Sequence, residues 1–141
     1  MSGNKGLELR VDWSEIDAFG HVNNLAILKY VQASRVEFLE RVGLMQLQSE
    51  SGMGPILASV SCQFRKPLFY PGRVIVRSRV EVIKNTSFSL HHEIHDDRGE
   101  LAVEATDVLV FFDFGRGVKA TIPPELRDRI SMTNGSTWAR I

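Results

Sequence analysis

The 141-residue chain carries one cysteine, Cys62, and its longest apolar run is only Val108-Leu109-Val110-Phe111-Phe112. Lys and Arg together match Asp and Glu at 17 each, so no excess of either charge exists. Each scarcity excludes something. A lone thiol closes no internal disulfide, so a disulfide-stapled secreted scaffold is ruled out and a reducing compartment is expected. The opening residues MSGNKG lack the apolar core of a signal peptide, and the expected localisation is cytoplasmic. The apolar runs are far too short for a membrane-spanning helix. A neutral balance argues against gripping nucleic acid or an anionic membrane with the whole surface. Several catalytic signatures are missing too: there is no G-x-S-x-G elbow, no P-loop, no G-x-G-x-x-G and no paired C-x-x-C.

What is present suits one compact domain over residues 1–141. Apolar residues make up 43% and charged residues 24%, as in ordinary globular proteins, and the length supports one core without staples. Leu7 to Trp13 alternates as a strand and runs into a polar, glycine-containing loop over Ser14 to Asn24. From Leu25 to about Val42 the period becomes helical. Ile27, Leu28, Val31, Phe38 and Val42 fall on one face, with Gly43 just beyond as a stop.

After Ser51-Gly52-Met53-Gly54-Pro55 the chain reads almost wholly as strand. Ile56, Ala58, Val60, Cys62 and Phe64 share one face of the first segment, and Pro67 and Pro71-Gly72 end it. Val74, Val76, Val80 and Val82 oppose Arg77, Arg79 and Glu81 in the second. Phe88, Leu90, His92 and Ile94 alternate with Ser87, Ser89, His91, Glu93 and His95 in the third. Asp96-Asp97-Arg98-Gly99 is a hairpin turn leading into a last strand, Glu100 to Asp113. Pro123-Pro124-Glu125-Leu126 opens a short terminal helix. One long helix followed by a meander predicts an α+β fold, an antiparallel sheet wrapped around one central helix. A parallel sheet is excluded because no helices separate the later strands.

The candidate chemistry is narrow. His91 and His95 on one strand face would stand about 13 Å apart, too far to share an ion, and His92 reads as a partnered core histidine. No metal site is expected. Cys62 reads as a packed thiol and Arg35 as an arginine paired at the edge of the helix stripe.

The informative segment is Ile16-Asp17-Ala18-Phe19-Gly20-His21-Val22-Asn23-Asn24, just before the helix. Unpaired backbone N–H groups at a helix start polarise a carbonyl and stabilise the oxyanion formed when it is attacked. A carboxylate beside them acts as a base toward water or as a nucleophile. The plain alternative is that any strand-to-helix loop holds such residues, with Asn24 merely an N-cap.

Asp17-Ala18-Phe19-Gly20-His21-Val22-Asn23-Asn24, followed by a long helix carrying Ala33-Ser34-Arg35, resembles the hotdog-fold thioesterases of the 4-hydroxybenzoyl-CoA thioesterase type. Phe64-Arg65-Lys66-Pro67-Leu68, Val110-Phe111-Phe112-Asp113 and Ile122-Pro123-Pro124-Glu125-Leu126 add weaker matches, so the likeness runs from about Leu7 to Ile130. The resemblance implies a hotdog fold and hydrolysis of an acyl-CoA to a carboxylate and coenzyme A, with no metal or redox cofactor. It assigns the essential carboxylate to Asp17 and the polarising amide to the backbone N–H of Asn24, with His21 and Asn23 shaping the loop. Ile27 stands where many members have an aromatic residue, and Gln32 where many have Glu. A basic rim for the coenzyme phosphates is expected among Arg65, Lys66 and Lys84, with Arg73 and Arg116 as further candidates. The family also implies a homodimer or homotetramer with sites at subunit interfaces. The alternatives are an acyl carrier protein thioesterase, a hotdog dehydratase or hydratase using His21 as base, and a non-catalytic acyl-CoA-binding module.

Overall fold

The computed structural model describes residues 6–133. Strand β1 (Leu7–Arg10) leads through a 3-10 turn (Trp13–Glu15) and the polar loop into helix α1 (Asn24–Arg41). Asn23 starts α1 by accepting the Ala26 N–H on its Oδ1 at 2.8 Å, which satisfies one of the orphan donors of the first turn. Gly43, at φ +83°, turns the chain where L side chains are strained. A second helix, α2 (Leu44–Ser51), follows directly and is absent from the sequence expectation. Its Met45, Gln46 and Gln48 are exposed and Leu44 is buried, so no apolar stripe announces it.

The remaining strands are β2 (Met53–Phe64), β3 (Arg73–Ile83), β4 (Ser87–His95), β5 (Leu101–Asp113) and the short β6 (Val118–Lys119), before helix α3 (Pro124–Met132). They form one antiparallel sheet in the order β1-β3-β4-β5-β2, with β6 on the end of β5. Helix α1 lies across one face, as expected for the α+β wrap. The buried stripe of α1 is Ile27, Tyr30, Val31, Ser34 and Phe38, an i, i+3/i+4, i+7, i+11 pattern. Leu28, expected on that stripe, is 37% exposed.

Two apolar clusters fill the space under α1. One gathers Val22, Ile27, Val31, Val76, Ile94 and Val103, and the other gathers Phe38, Leu44, Phe88, Leu90, Phe111 and Ile130. A polar network separates them. Ser34 sits between Val31 and Phe38, His92 between Leu90 and Ile94, and Asp107 between Ala105 and Leu109. Arg35 donates to the Asp107 carboxylate from Nε at 2.7 Å, and His92 Nε2 meets it at 2.7 Å. The other His92 nitrogen meets Ser34 Oγ at 3.1 Å. Arg35 and His92 thus take the structural roles expected of them. The order Ser-His-Asp invites a catalytic reading, but all three residues are closed off from solvent. Burial works to raise the Asp107 carboxyl, yet the bonds from His92 and Arg35 outweigh it and hold the group below the usual carboxylate range.

Two β-bulges shift the expected faces. One between Val80 and Val82 makes Glu81 the extra residue and leaves Val82 opposite Ser89, exposed on the outer face. The other lies between Leu57 and Ser59 of β2. Cys62 packs against the core as expected, and burial raises its thiol, with Asp107 adding to the effect. Its neighbours do not follow. Ile56 is 43%, Leu57 41%, Val60 36% and Phe64 56% exposed, because β2 is an edge strand that α1 does not cover.

Candidate active site

The site is built on a braced loop. Asp12 caps the 3-10 turn, and Glu15 folds back to accept the Asp12 N–H at 2.9 Å. The Glu15 carboxylate is buried and also accepts the Tyr30 hydroxyl at 2.6 Å, with the Lys29 ammonium 3.1 Å away. Burial works to raise the Glu15 carboxyl, but these partners hold it below the usual range. Burial and the same contact push the Tyr30 hydroxyl up. The Glu15 carbonyl then accepts both the backbone N–H and the Nδ2 of Asn23, each at 2.8 Å. Asn23 is therefore the N-cap, and its backbone N–H, its Nδ2 and its Oδ1 are each engaged. Asn24, read from sequence as a possible cap, is instead the first helical residue.

Between these anchors the chain makes a tight turn. Ile16 bridges Val22, the Asp17 N–H donates to the His21 carbonyl at 2.8 Å, and Gly20 takes φ +84° to close it. Asp17 Oδ1 accepts the N–H groups of Phe19 at 2.9 Å and His21 at 3.2 Å. No donor among the described residues claims Asp17 Oδ2. The carboxylate is thus oriented by one oxygen and free at the other. His21 sets its ring edge against Phe69 at 5.3 Å between centroids, and Val22 N–H bonds the Leu68 carbonyl at 2.8 Å. That docking fixes the loop to the segment after β2.

Asp17, His21 and Asn24 all line one open pocket of about 470 Å³. Ile27, Phe64 and Leu68 supply its apolar wall. The backbone N–H of Asn24 finds no acceptor among the described residues, as befits the first turn of a helix. Asp17 and the helix-start residue Asn24 thus line the same space. Such a pair can act on a polarised carbonyl from two sides.

The basic residues divide. Arg65 and Lys66 line the pocket, but Arg65 pairs with Glu104 at 2.9 Å, and Lys66 is held by Asp96 at 2.7 Å and Glu100 at 2.5 Å. Lys84 sits in the β3–β4 turn, where its backbone bonds Ser87 and Arg127, and one chain does not bring it to the pocket. Gln32 is exposed on α1 and lies outside the pocket lining. Sequence reasoning passes over Glu15 and Tyr30, which brace the loop. Their only signal is an acid and a tyrosine 15 residues apart, and spacing alone does not reveal such a contact.

Comparison with known proteins converges on one family. An acyl-acyl carrier protein thioesterase (chloroplastic) of Arabidopsis thaliana is 28% identical over 137 residues, covering 92% of this chain and 72% of that one. The long-chain acyl-CoA thioesterase FadM of Escherichia coli is 19% identical, covering 87% and 94%. The solved structure of a thioesterase complexed with coenzyme A and Zn from Thermus thermophilus superimposes with a TM-score of 0.77 at 26% identity, covering 96% and 98%. The family model of the thioesterase-like superfamily matches residues 11–130, and the chain belongs to that superfamily.

Proposed function

We propose that the protein is an acyl-CoA thioesterase of the 4-hydroxybenzoyl-CoA thioesterase type, one domain over residues 1–141, working in the cytoplasm. The observation that carries this reading is the pocket lined by both Asp17 and Asn24, where among the described residues one Asp17 oxygen accepts no hydrogen bond and the Asn24 N–H has no acceptor. The described helices offer no membrane span. The thioester carbonyl oxygen accepts the Asn24 N–H, and the partial positive charge of the α1 N-terminus adds to the polarisation. Asp17 then either removes a proton from water as that water attacks the carbonyl carbon, or attacks it directly. In the first route the C–S bond breaks as the tetrahedral centre collapses, and the thiolate leaves and takes up the proton. In the second, the attack breaks the C–S bond and expels the thiolate, leaving a mixed anhydride; water then hydrolyses that anhydride, restores Asp17 and supplies the proton that the thiolate takes up. Both end in a carboxylic acid and coenzyme A. His21, held against Phe69, and Asn23, held on Glu15, keep the loop in place.

The edge strand β2 supports a homodimer. Its unpaired edge and exposed Ile56, Leu57, Val60 and Phe64 suit pairing with the same strand of a second copy. Phe64 and Arg65 also line the pocket, so a copy seated there would complete the site, and a tetramer would double this unit. Light scattering at micromolar concentration should give at least a dimer; a monomer would remove this part of the reading.

The likeness to the Arabidopsis protein favours an acyl carrier protein as the second substrate reading, since both carriers present the same pantetheine thioester. Thiol release measured over short, long and aromatic acyl-CoAs and an acylated carrier protein separates the cases. Coenzyme A release supports the proposal, and release from the carrier protein alone transfers it. Tight binding without thiol release would leave a binding module.

A further inference from the structure

On the outer face of the sheet, away from α1, His91 and Glu93 of β4 meet Glu104 of β5. Glu93 and Glu104 stand directly opposite in the ladder, a placement that is repulsive for two carboxylates unless something positive joins them. Arg65, just after β2, supplies part of that charge to Glu104 at 2.9 Å, and Arg77 stands opposite Glu93 on β3. No ion pair links Arg77 to Glu93, and Arg77 Nε is buried without a partner among the described residues. Between the carboxylates lies the His91 ring. The residue is 9% exposed, and its Nδ1 makes no hydrogen bond. Its Nε2 faces Glu104 Oε1 at 3.4 Å and Glu93 Oε2 at 3.8 Å. Both separations exceed the ~2.7–2.9 Å of a charge-assisted hydrogen bond.

The 3.4 Å separation fits a bound ion as it stands, and the 3.8 Å one would close by a few tenths of an ångström on binding. An ion with bonds of about 2.0–2.2 Å to nitrogen and oxygen in tetrahedral geometry sets its ligand atoms roughly 3.3–3.5 Å apart. The three ligand atoms lie within 4.8 Å of one another. We infer that His91 Nε2, Glu93 Oε2 and Glu104 Oε1 form a binding site for a divalent transition-metal ion of the zinc class, separate from the catalytic pocket.

The surroundings fit that assignment. Arg65 bonds Glu104 through Oε2 and leaves Oε1 toward His91. His95 Nε2 lies 3.6 Å from Glu93 Oε1 and leaves Oε2 toward His91. The second His91 nitrogen has the Glu81 carboxylate 3.9 Å away, and Glu81 is the extra residue of the β3 bulge. Metal-bound imidazoles commonly donate the other ring N–H to a carboxylate, and Glu81 is the neighbouring carboxylate that could move in to take it. One histidine with two carboxylates suits zinc, and partial exposure of both glutamates leaves room for water on the remaining position. The expectation of no metal rests on the 91/95 spacing on one strand. The cross-strand partner Glu104 is invisible to that test.

Titrating the metal-free full-length protein with zinc chloride in a calorimeter tests the site. One ion per chain is expected, together with a shift of the His91 ring resonances and none at His21. Glu93→Gln and Glu104→Gln should each weaken binding by at least about 100-fold, more than the 10–100-fold typical of an outer partner. Glu125→Gln on α3 should leave it unchanged. Circular dichroism checks that the variants fold, and Glu93→Gln, at the surface, decides the matter if His91→Gln does not. No saturable binding, or wild-type affinity in folded Glu93→Gln, would overturn the assignment.

Discussion

Asp107, bonded to Arg35 of α1, and Asp17, in the loop that leads into α1, are both carboxylates, and they do opposite work. Asp107 is fully buried, and its oxygens are taken by Arg35 and His92. Asp17 is exposed, lines the pocket and uses one oxygen to order its own turn, while the other accepts no hydrogen bond among the described residues. The difference lies in hydrogen-bonding capacity left over, since a saturated carboxylate can only hold structure and an unsaturated one can take a proton or attack. A charge that folding has fully consumed stabilises; a charge that folding only aims is available for chemistry.

Breaking the saturated centre should have the largest effect on stability. Asp107→Asn leaves the Arg35 guanidinium without its counter-charge and should cost about 3–5 kcal/mol in urea unfolding. Asp17→Asn should change the same midpoint by no more than about 0.5 kcal/mol, as at an ordinary surface position. Equal losses in the two variants would erase the distinction.

Acid should sharpen it further. Asp107 and Glu15 are both held below their usual range in the folded state, so the unfolded chain takes up their protons first. Their stabilisation is complete above the unfolded values near 4 and is lost as pH falls through the lower folded values. Urea midpoints should be flat from neutral pH to about 5 and drop below about 4, with a weaker drop in Asp107→Asn.

A smaller effect belongs to the brace. Asn23→Ala removes the α1 cap and the bond to Glu15, and should cost about 0.5–2 kcal/mol. It should also lower kcat, because the loop carrying Asp17 loses its anchor. The smallest effect is expected at the rim. Lys66→Glu should raise KM with kcat near wild type, and added salt should reduce that difference. An unchanged KM would place the coenzyme phosphates elsewhere.

What sequence reading delivers here is set by the range of the interaction. Helix α1 and the β4 alternation rest on neighbouring residues, and the expected bounds fall within one or two positions of Asn24–Arg41 and Ser87–His95. The turn at Asp17–His21 is readable because its bonds are local. The buried network is half readable. Arg35 and His92 each announce a need for a partner, but Asp107 lies 72 residues from Arg35 and only the fold joins them. The bulges at Leu57/Ser59 and Val80/Val82 leave no mark in the apolar pattern, so alternation puts Val82 on the wrong face. Charge alone groups Lys84 with Arg65 and Lys66, and the meander carries it to a distant turn.

The central claim is that the open oxygen of Asp17 does the chemistry. Thiol release from a turned-over acyl-CoA should be compared in wild type, Asp17→Asn and His21→Ala, each shown to be folded. An essential base typically contributes about 10²–10⁴-fold, so kcat in Asp17→Asn should fall by at least about 100-fold, and His21→Ala should lose less. A folded Asp17→Asn enzyme that releases coenzyme A at near the wild-type rate would contradict the account.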